Sequence, residues 1–319
     1  MTDEARIDRL AEALEAALAD PHAPRPAGEP ALASLLAIAD DLRHLPRPEF
    51  EARLGADLTR RIEMTAIAQA KRSGVREVIP YLAVRPALEL VEFLKRAFGA
   101  QELSRTTGSA GGVHAEVRIG DTRLMIGGGG AWDGEPTPTG LHLYVPDADR
   151  VYRAAVDAGA EALYAPVDQP YGDREAGVKD LAGNHWYIAT HRSGGHVPEG
   201  LGTVTPFLHP HGARALIDFM SRAFGAEQVA GHHEPDGRLA HAIVRLGASA
   251  IEMGEAHDQW GPMPTMFYAY VDDVDAWYRR ALDAGATSIE APALQPYGER
   301  RAAVRDRFDN QWYLAAPVS

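Results

Sequence analysis

Thirteen histidines and no cysteine leave any chemistry to imidazoles, carboxylates, tyrosines and arginines. Disulfides, thiolate metal sites and a cysteine nucleophile are excluded. Twice a histidine opens a strand-like run that turns back on itself. His114 begins HAEVRI, Gly120-Asp121 supplies a hairpin turn, and the return run sets Met125 opposite His114. His241 begins HAIVRL, the chain turns near Leu246-Gly247, and Glu252 falls opposite His241. A histidine and a glutamate on one face have three readings. They are a buried hydrogen bond that orients strands, an acid–base pair working near the ordinary imidazole pKa of about 6.5, or part of a metal site. His209, His241 and Glu252 together form a nitrogen-nitrogen-oxygen set of the type used for zinc or non-haem iron. Two loops, Tyr171-Gly172-Asp173-Arg174 and Tyr297-Gly298-Glu299-Arg300, each put an arginine near a tyrosine. Arg174 and Arg300 either grip an anionic or planar ligand or brace their loops on Asp173 and Glu299. Glycines 127–130 lack the lysine and spacing of a phosphate loop and read as a flap that brings Trp132 over a pocket. His232-His233 reads as exposed loop.

These residues must be positioned by elements, and a repeat organises the elements. RAFGA at 96–100 recurs at 222–226, QPYG at 169–172 recurs at 295–298, and Asn184-His185-Trp186-Tyr187 matches Asn310-Gln311-Trp312-Tyr313, all at an offset of 126. Two homologous domains are therefore expected at 76–191 and 202–317, joined by the glycine-rich stretch 192–202. In the first, 78–84 is a strand, Pro86 opens a helix, and Gly99 closes it. Runs 114–119 and 122–126 form a hairpin. A second unit follows the same plan with a strand at 141–145, a helix at 148–158, and strands at 177–180 and 185–190. Mixed elements with mostly antiparallel hairpins argue an α+β fold. Residues 1–73 differ: Ile7, Leu10, Leu14 and Leu18 make a helical stripe, and 31–45 and 48–70 read as further helices. This helical segment is expected to pack on the domains or on a second subunit, as in a homodimer, or to bind a dedicated partner.

The chain has 319 residues, 45% of them hydrophobic and 24% charged, with a formal charge of −13. That charge disfavours nucleic acid as a partner, and no apolar run of about 18 residues spans a bilayer. The opening MTDEARIDRL lacks the apolar core of a signal peptide, so a cytoplasmic location is expected.

The strings PYLAV-x-PALELVEFLKRAFGA, HAEVRIGD, LHLYVPDADRVYRAAVDAGA and QPYGDREAGVKDLAGNHWYIAT resemble the vicinal-oxygen-chelate superfamily. Within it they resemble the PhnB-like glyoxalase/bleomycin-resistance/dioxygenase proteins. The resemblance covers both repeats. It implies tandem glyoxalase-like domains of paired βαβββ modules, each pair curving a sheet around a concave ligand site. It also implies metal ligands on the first, fourth, fifth and eighth strands. The matching positions hold Ile79, Met125, His142 and Tyr187 in the first domain, and Thr205, Glu252, Tyr268 and Tyr313 in the second. Neither domain keeps the family's donor set, so no cofactor is assured, and a divalent metal in the second domain is the alternative.

Strand alternation from those positions turns Tyr81, His114, Tyr144 and His185 inward beside His142 and Tyr187. In the second domain it turns Phe207, His209, His241, Tyr270 and Tyr313 inward beside Glu252 and Tyr268. Aromatic, imidazole-bearing pockets suit a small organic ligand. His142, His114 and His241 are the expected acid–base groups. The tyrosines named above, with Tyr171, Tyr297, Phe207, Arg174 and Arg300, are the expected binding groups. The function expected is binding, with or without transformation, of an organic metabolite or drug-like compound. The alternative is a metal-dependent lyase or dioxygenase.

Overall fold

The computed structural model describes residues 74–107, 111–193, 195–258 and 260–318, all of which fall in one compact unit. The helical segment expected over residues 1–73 lies outside the described residues.

Four βαβββ modules follow one another. Module one is β1 (Val75–Ala83), α1 (Ala87–Phe98), β2 (Gln101–Thr107), β3 (Val113–Ile119) and β4 (Thr122–Gly128). Module two is β5 (Gly140–Tyr144), α2 (Ala148–Asp157), β6 (Glu161–Asp168), β7 (Asp173–Lys179) and β8 (His185–His191). Module three is β9 (Val204–Leu208), α3 (Ala213–Phe224), β10 (Glu227–His233), β11 (Leu239–Leu246) and β12 (Ser249–Met253). Module four is β13 (Met266–Val271), α4 (Val274–Asp283), β14 (Thr287–Leu294), β15 (Glu299–Arg305) and β16 (Gln311–Pro317). The helices end where their sequences say they must. Gly99 and Gly225 close α1 and α3 in the left-handed conformation, at φ 67° and 71°, which costs glycine least. Asp147 and Asp273 cap α2 and α4 by accepting the backbone N–H of Arg150 and Ala276. Among the described residues no helix is long and apolar enough to cross a membrane.

The strands form two eight-stranded sheets. In sheet I the order is β14-β15-β16-β13-β1-β4-β3-β2, so module one pairs with module four. In sheet II it is β10-β11-β12-β9-β5-β8-β7-β6, so module two pairs with module three. The expected grouping, in which each repeat closes a sheet of its own, is therefore corrected: β1 runs antiparallel to β13 with Ile79 facing Tyr268, and β5 runs antiparallel to β9 with His142 facing Thr205. The halves of the repeat are alike, so the first strand of one module finds an equivalent edge in either partner.

The hydrophobic cores nevertheless follow the repeats. One cluster packs α1 and α2 over Leu82, Leu124, Leu141, Trp186 and Ile188; the other packs α3 and α4 over Leu208, Ile251, Phe267, Trp312 and Leu314. Trp186 is fully buried beneath Phe98, their ring centres 4.8 Å apart, and Trp312 lies likewise under Phe224. Each core thus draws mainly on one repeat, with Val75 and Val78 of β1 joining the second and Val204 of β9 joining the first, whereas each concave face draws on both.

Candidate functional site

Alternation along the central strands of sheet II turns His142 and Tyr144 of β5, Tyr187 of β8, Phe207 of β9 and Glu252 of β12 to the same side. The register places Ile243, not His241, opposite Glu252. The two-residue slip preserves the face, and His241 Nε2 donates diagonally to Glu252 Oε1 at 3.0 Å. In the first repeat Glu116 faces Met125 and His114 faces Gly127, a slip of the same size.

At the centre lies His142, buried, with both ring nitrogens held by carboxylates from different modules. Nδ1 donates to Glu252 Oε2 and Nε2 to Glu175 Oε2, each at 3.0 Å. Glu252 is 1% and Glu175 5% exposed. The Tyr144 hydroxyl donates to Glu252 at 3.1 Å, and the hydroxyls of Tyr164 and Tyr171 donate to Glu175 at 2.6 and 3.0 Å. Gly177 is what lets the Tyr164 ring lie across β7 to reach Glu175, since a Cβ there would run into that ring.

Burial by itself favours the neutral imidazole, but the charge of Glu252 and the hydrogen bonds His142 donates to Glu175 and Glu252 outweigh it and push the His142 pKa up to about 10. Burial likewise penalises the Glu252 carboxylate, yet the His142 charge and the His142 and His241 hydrogen bonds bring it down to about 2. The trio is therefore a buried imidazolium between two carboxylates, with a net charge of −1. Desolvation, followed by the nearby carboxylates, raises the hydroxyl pKa values of Tyr144, Tyr164 and Tyr171, so all three stay protonated donors.

Aromatic walls stand around this centre. Phe207 meets His142 edge-on at 5.2 Å and stacks near His241 at 6.0 Å. Tyr187 packs edge-on against His142, and its hydroxyl donates to His209 Nε2 at 2.9 Å. Trp260, from the β12–β13 linker, stacks on His209 at 6.0 Å and 13°. Burial and the neighbouring histidines lower the His209 pKa to about 4.

The remaining expected residues divide. Tyr81, His114, Tyr268, Tyr270 and Tyr313 sit together on the concave face of sheet I, with Tyr297 exposed at its edge. Tyr81 donates to His114 Nδ1 at 3.3 Å, and burial lowers the His114 pKa. The repeat relates this face to sheet II, but its chemistry differs: Tyr268 stands for His142, Met125 for Glu252, Arg301 for Glu175, and Glu290 for Tyr164. Arg301 donates to Glu290 and to the Tyr297 hydroxyl, both at 2.7 Å. Among the described residues of sheet I no imidazole is held between two carboxylates as His142 is.

Arg174 and Arg300 reach neither site. Each follows an inward residue, Asp173 or Glu299, so alternation turns it toward the helices. Arg174 holds Asp149 of α2 through two nitrogens at 2.9 Å, and Arg300 holds Asp275 of α4 in the same way. In the second repeat's loop the arginine that turns to the concave side is Arg301, one residue further on. Glu175 was missed because β7 was expected to begin at 177 instead of Asp173, leaving Glu175 in a loop, and Tyr164 because no strand was expected where β6 lies. Period-two continuation from Asp173 is the signal that finds Glu175. Trp260 took the covering role expected of Trp132.

The pairing also regroups the four metal-type positions. Sheet I carries Ile79, Met125, Tyr268 and Tyr313, none of them a carboxylate or imidazole. Sheet II carries His142, Tyr187, Thr205 and Glu252. It unites the two hard donors, but the Thr205 hydroxyl donates to Gly202 and Tyr187 is engaged by His209. His209 is thus drawn away from the expected set with His241 and Glu252. Both His142 nitrogens are already bonded, and among the described residues no three histidine, aspartate or glutamate side chains are arranged to hold a metal. The residues present do not fit the family's divalent ion.

Two eight-stranded sheets of paired βαβββ modules, each with a concave face where four central strands meet, define a glyoxalase-fold protein built as one chain. The chain belongs to the Glyoxalase/Bleomycin resistance protein/Dioxygenase superfamily, whose profile matches residues 80–188 and 212–314. It is 35% identical over 130 residues to uncharacterized proteins of Mycobacterium bovis and Mycobacterium tuberculosis, spanning 36% of this chain and 86% and 76% of theirs. Among solved structures, glyoxalase I from Zea mays superposes with a TM-score of 0.59 at 13% identity, covering 77% of this chain and 93% of that one. A putative dioxygenase from Bacillus subtilis superposes with 0.51 at 12% identity, covering 76% and 85%. At these identities the likeness is one of fold.

Proposed function

We propose that the concave face of sheet II binds a small organic compound carrying a basic nitrogen and exchanges a proton with it through His142, without a metal. The observation that carries this reading is the His142 imidazole clamped at 3.0 Å by Glu175 and Glu252 under the rings of Phe207, Tyr187 and Trp260. Buried carboxylates with a net negative charge attract a cation, and aromatic faces favour it further. Access runs past the exposed Tyr171 and the half-exposed His241, which cover Glu175 and Glu252.

The carboxylates also couple binding to acid–base chemistry. At neutral pH His142 keeps its proton because two anions hold it. A ligand cation that pairs with Glu252 withdraws part of that support, and the imidazole pKa falls toward its ordinary value. Only in the complex does His142 become a proton donor or acceptor suited to neutral pH.

Calorimetric titration with benzamidine, an aromatic cation, and benzoate, its anionic counterpart, tests this. Benzamidine is expected to bind and benzoate not, with binding lost in Glu175→Gln and Glu252→Gln. Equal binding of the two, or full binding by both variants, would overturn the reading. Native mass spectrometry of freshly purified protein identifies any natural ligand, and metal analysis of the same sample tests the metal-free assignment.

A further inference from the structure

The β4–β5 and β12–β13 linkers cross between the sheets, where the hydroxyls of Thr139 and Thr265, equivalent residues of the two repeats, hydrogen-bond to each other. Beside this crossing is a cavity of about 810 Å³, within the roughly 300–1,000 Å³ of small-molecule sites. Its walls join elements that the repeat keeps apart: Trp132 from one linker, Trp260 from the other, His185 from sheet II, and Met266 and Tyr313 from sheet I. Prolines at 136, 138, 262 and 264 also line it; their fixed φ angles stiffen both linkers, so the hollow is formed before any ligand arrives.

Two features define what would fill it. The charged lining residues, Glu135, Arg305 and Asp309, are all exposed at its rim, so the interior offers indole, phenol, thioether and proline surface with no charge to pair. His185 Nδ1 is shut off from solvent and has no hydrogen-bond partner among the described residues, so it lies out of a ligand's reach and the hollow meets only the rest of the imidazole. Burial, with Lys179 nearby, lowers the pKa of this imidazole.

We infer that this cavity is a second ligand site, distinct from the His142 face, and that it takes an uncharged, flat aromatic compound packed against the Trp132 and Trp260 indoles. The ligand class is opposite to that of the His142 face: neutral and flat, not cationic. Trp260 is the wall the two sites share.

The test is fluorescence titration of the full chain with N-phenyl-1-naphthylamine, a neutral probe made of two flat aromatic ring systems. One saturable site is expected, with enhanced probe emission and quenched tryptophan emission. Trp132 lines this cavity and takes no part in the His142 face. Trp132→Ala should weaken binding by about tenfold, the equivalent of ~1.4 kcal/mol of lost ring contact. Met263→Trp, which fills the hollow without removing an indole, should abolish binding while circular dichroism stays that of the parent. Trp277→Phe, in α4 outside the cavity, should change nothing. Benzamidine at saturation should not displace the probe. The inference is overturned by an absence of saturable binding, by parent-like affinity in both Trp132→Ala and Met263→Trp, or by competitive displacement with benzamidine. If the probe binds as described while benzamidine does not bind at all, only the reading of the His142 face fails.

Discussion

His142 shows why a residue marked as a reactive group also holds the structure together. The sequence marks it as a pocket histidine and an acid–base group; the geometry also makes it the counter-charge for two buried carboxylates. Removing one partner of a buried ionic cluster strands the others, so His142→Ala should destabilise the protein by about 3–5 kcal/mol at pH 7. Urea unfolding measures this, and adding Glu252→Gln to the same chain should restore part of the loss. Stability should also follow pH in a definite sense. The His142 pKa is raised from 6.5 to about 10 in the folded protein, so its contribution is complete below 6.5 and lost as pH rises through 10. The Glu252 pKa is lowered from 4.5 to about 2, so its contribution is complete above 4.5 and lost as pH falls through 2. Between these limits the cluster stabilises fully, from about pH 4.5 to 6.5. Unfolding midpoints for the parent and for a His142→Ala, Glu252→Gln double variant should converge at both extremes; a constant difference across the range would show that the cluster does not titrate in this way.

At the scale of elements, the two faces of each strand separate stability from binding. Trp186 and Tyr187 are neighbours on β8 and point to opposite sides. Trp186→Ala removes a fully buried ring and the donor that bonds Asp180 at 2.8 Å; a loss of about 3–5 kcal/mol is expected. Arg174 braces β7 against α2 at a partly exposed position. Arg174→Ala should therefore change stability little, as expected of a solvent-screened ion pair, and leave benzamidine binding as in the parent. The elements themselves were legible because their signals are local: Pro86 and Gly99 bracket α1, Gly120-Asp121 turns β3 into β4, and alternation puts Trp186 under the helices. Module pairing was not, because sequence identity between the halves makes either partner look acceptable. The candidate site was legible in part for the same reason. His142 and Glu252 are each conspicuous, yet they lie 110 positions apart in different repeats, and only the exchange of strands brings them together. Arg174 and Glu175 were misread through the boundary of one strand.

For the whole molecule, cores that follow the repeats and sheets that cross between them make a testable combination. A protease site placed in the 192–202 linker should allow cleavage without separation. The two pieces should elute as one species in size-exclusion chromatography with light scattering, parting only in denaturant; folded monomeric halves after cleavage would contradict the shared sheets. The covalent linker has a further consequence. Were two identical copies of one repeat to assemble in this way, every substitution would appear twice, once on each face. A histidine at the β5 position would then recur at its β13 equivalent, and a glutamate on β12 would recur on β4. Joining the copies in one chain breaks that equality. A mutation can alter one face and leave the other untouched, which is how Tyr268 can stand opposite in kind to His142, and Met125 to Glu252. The polypeptide bond between the repeats contributes no side chain to either face, yet it is what permits the two to follow separate histories.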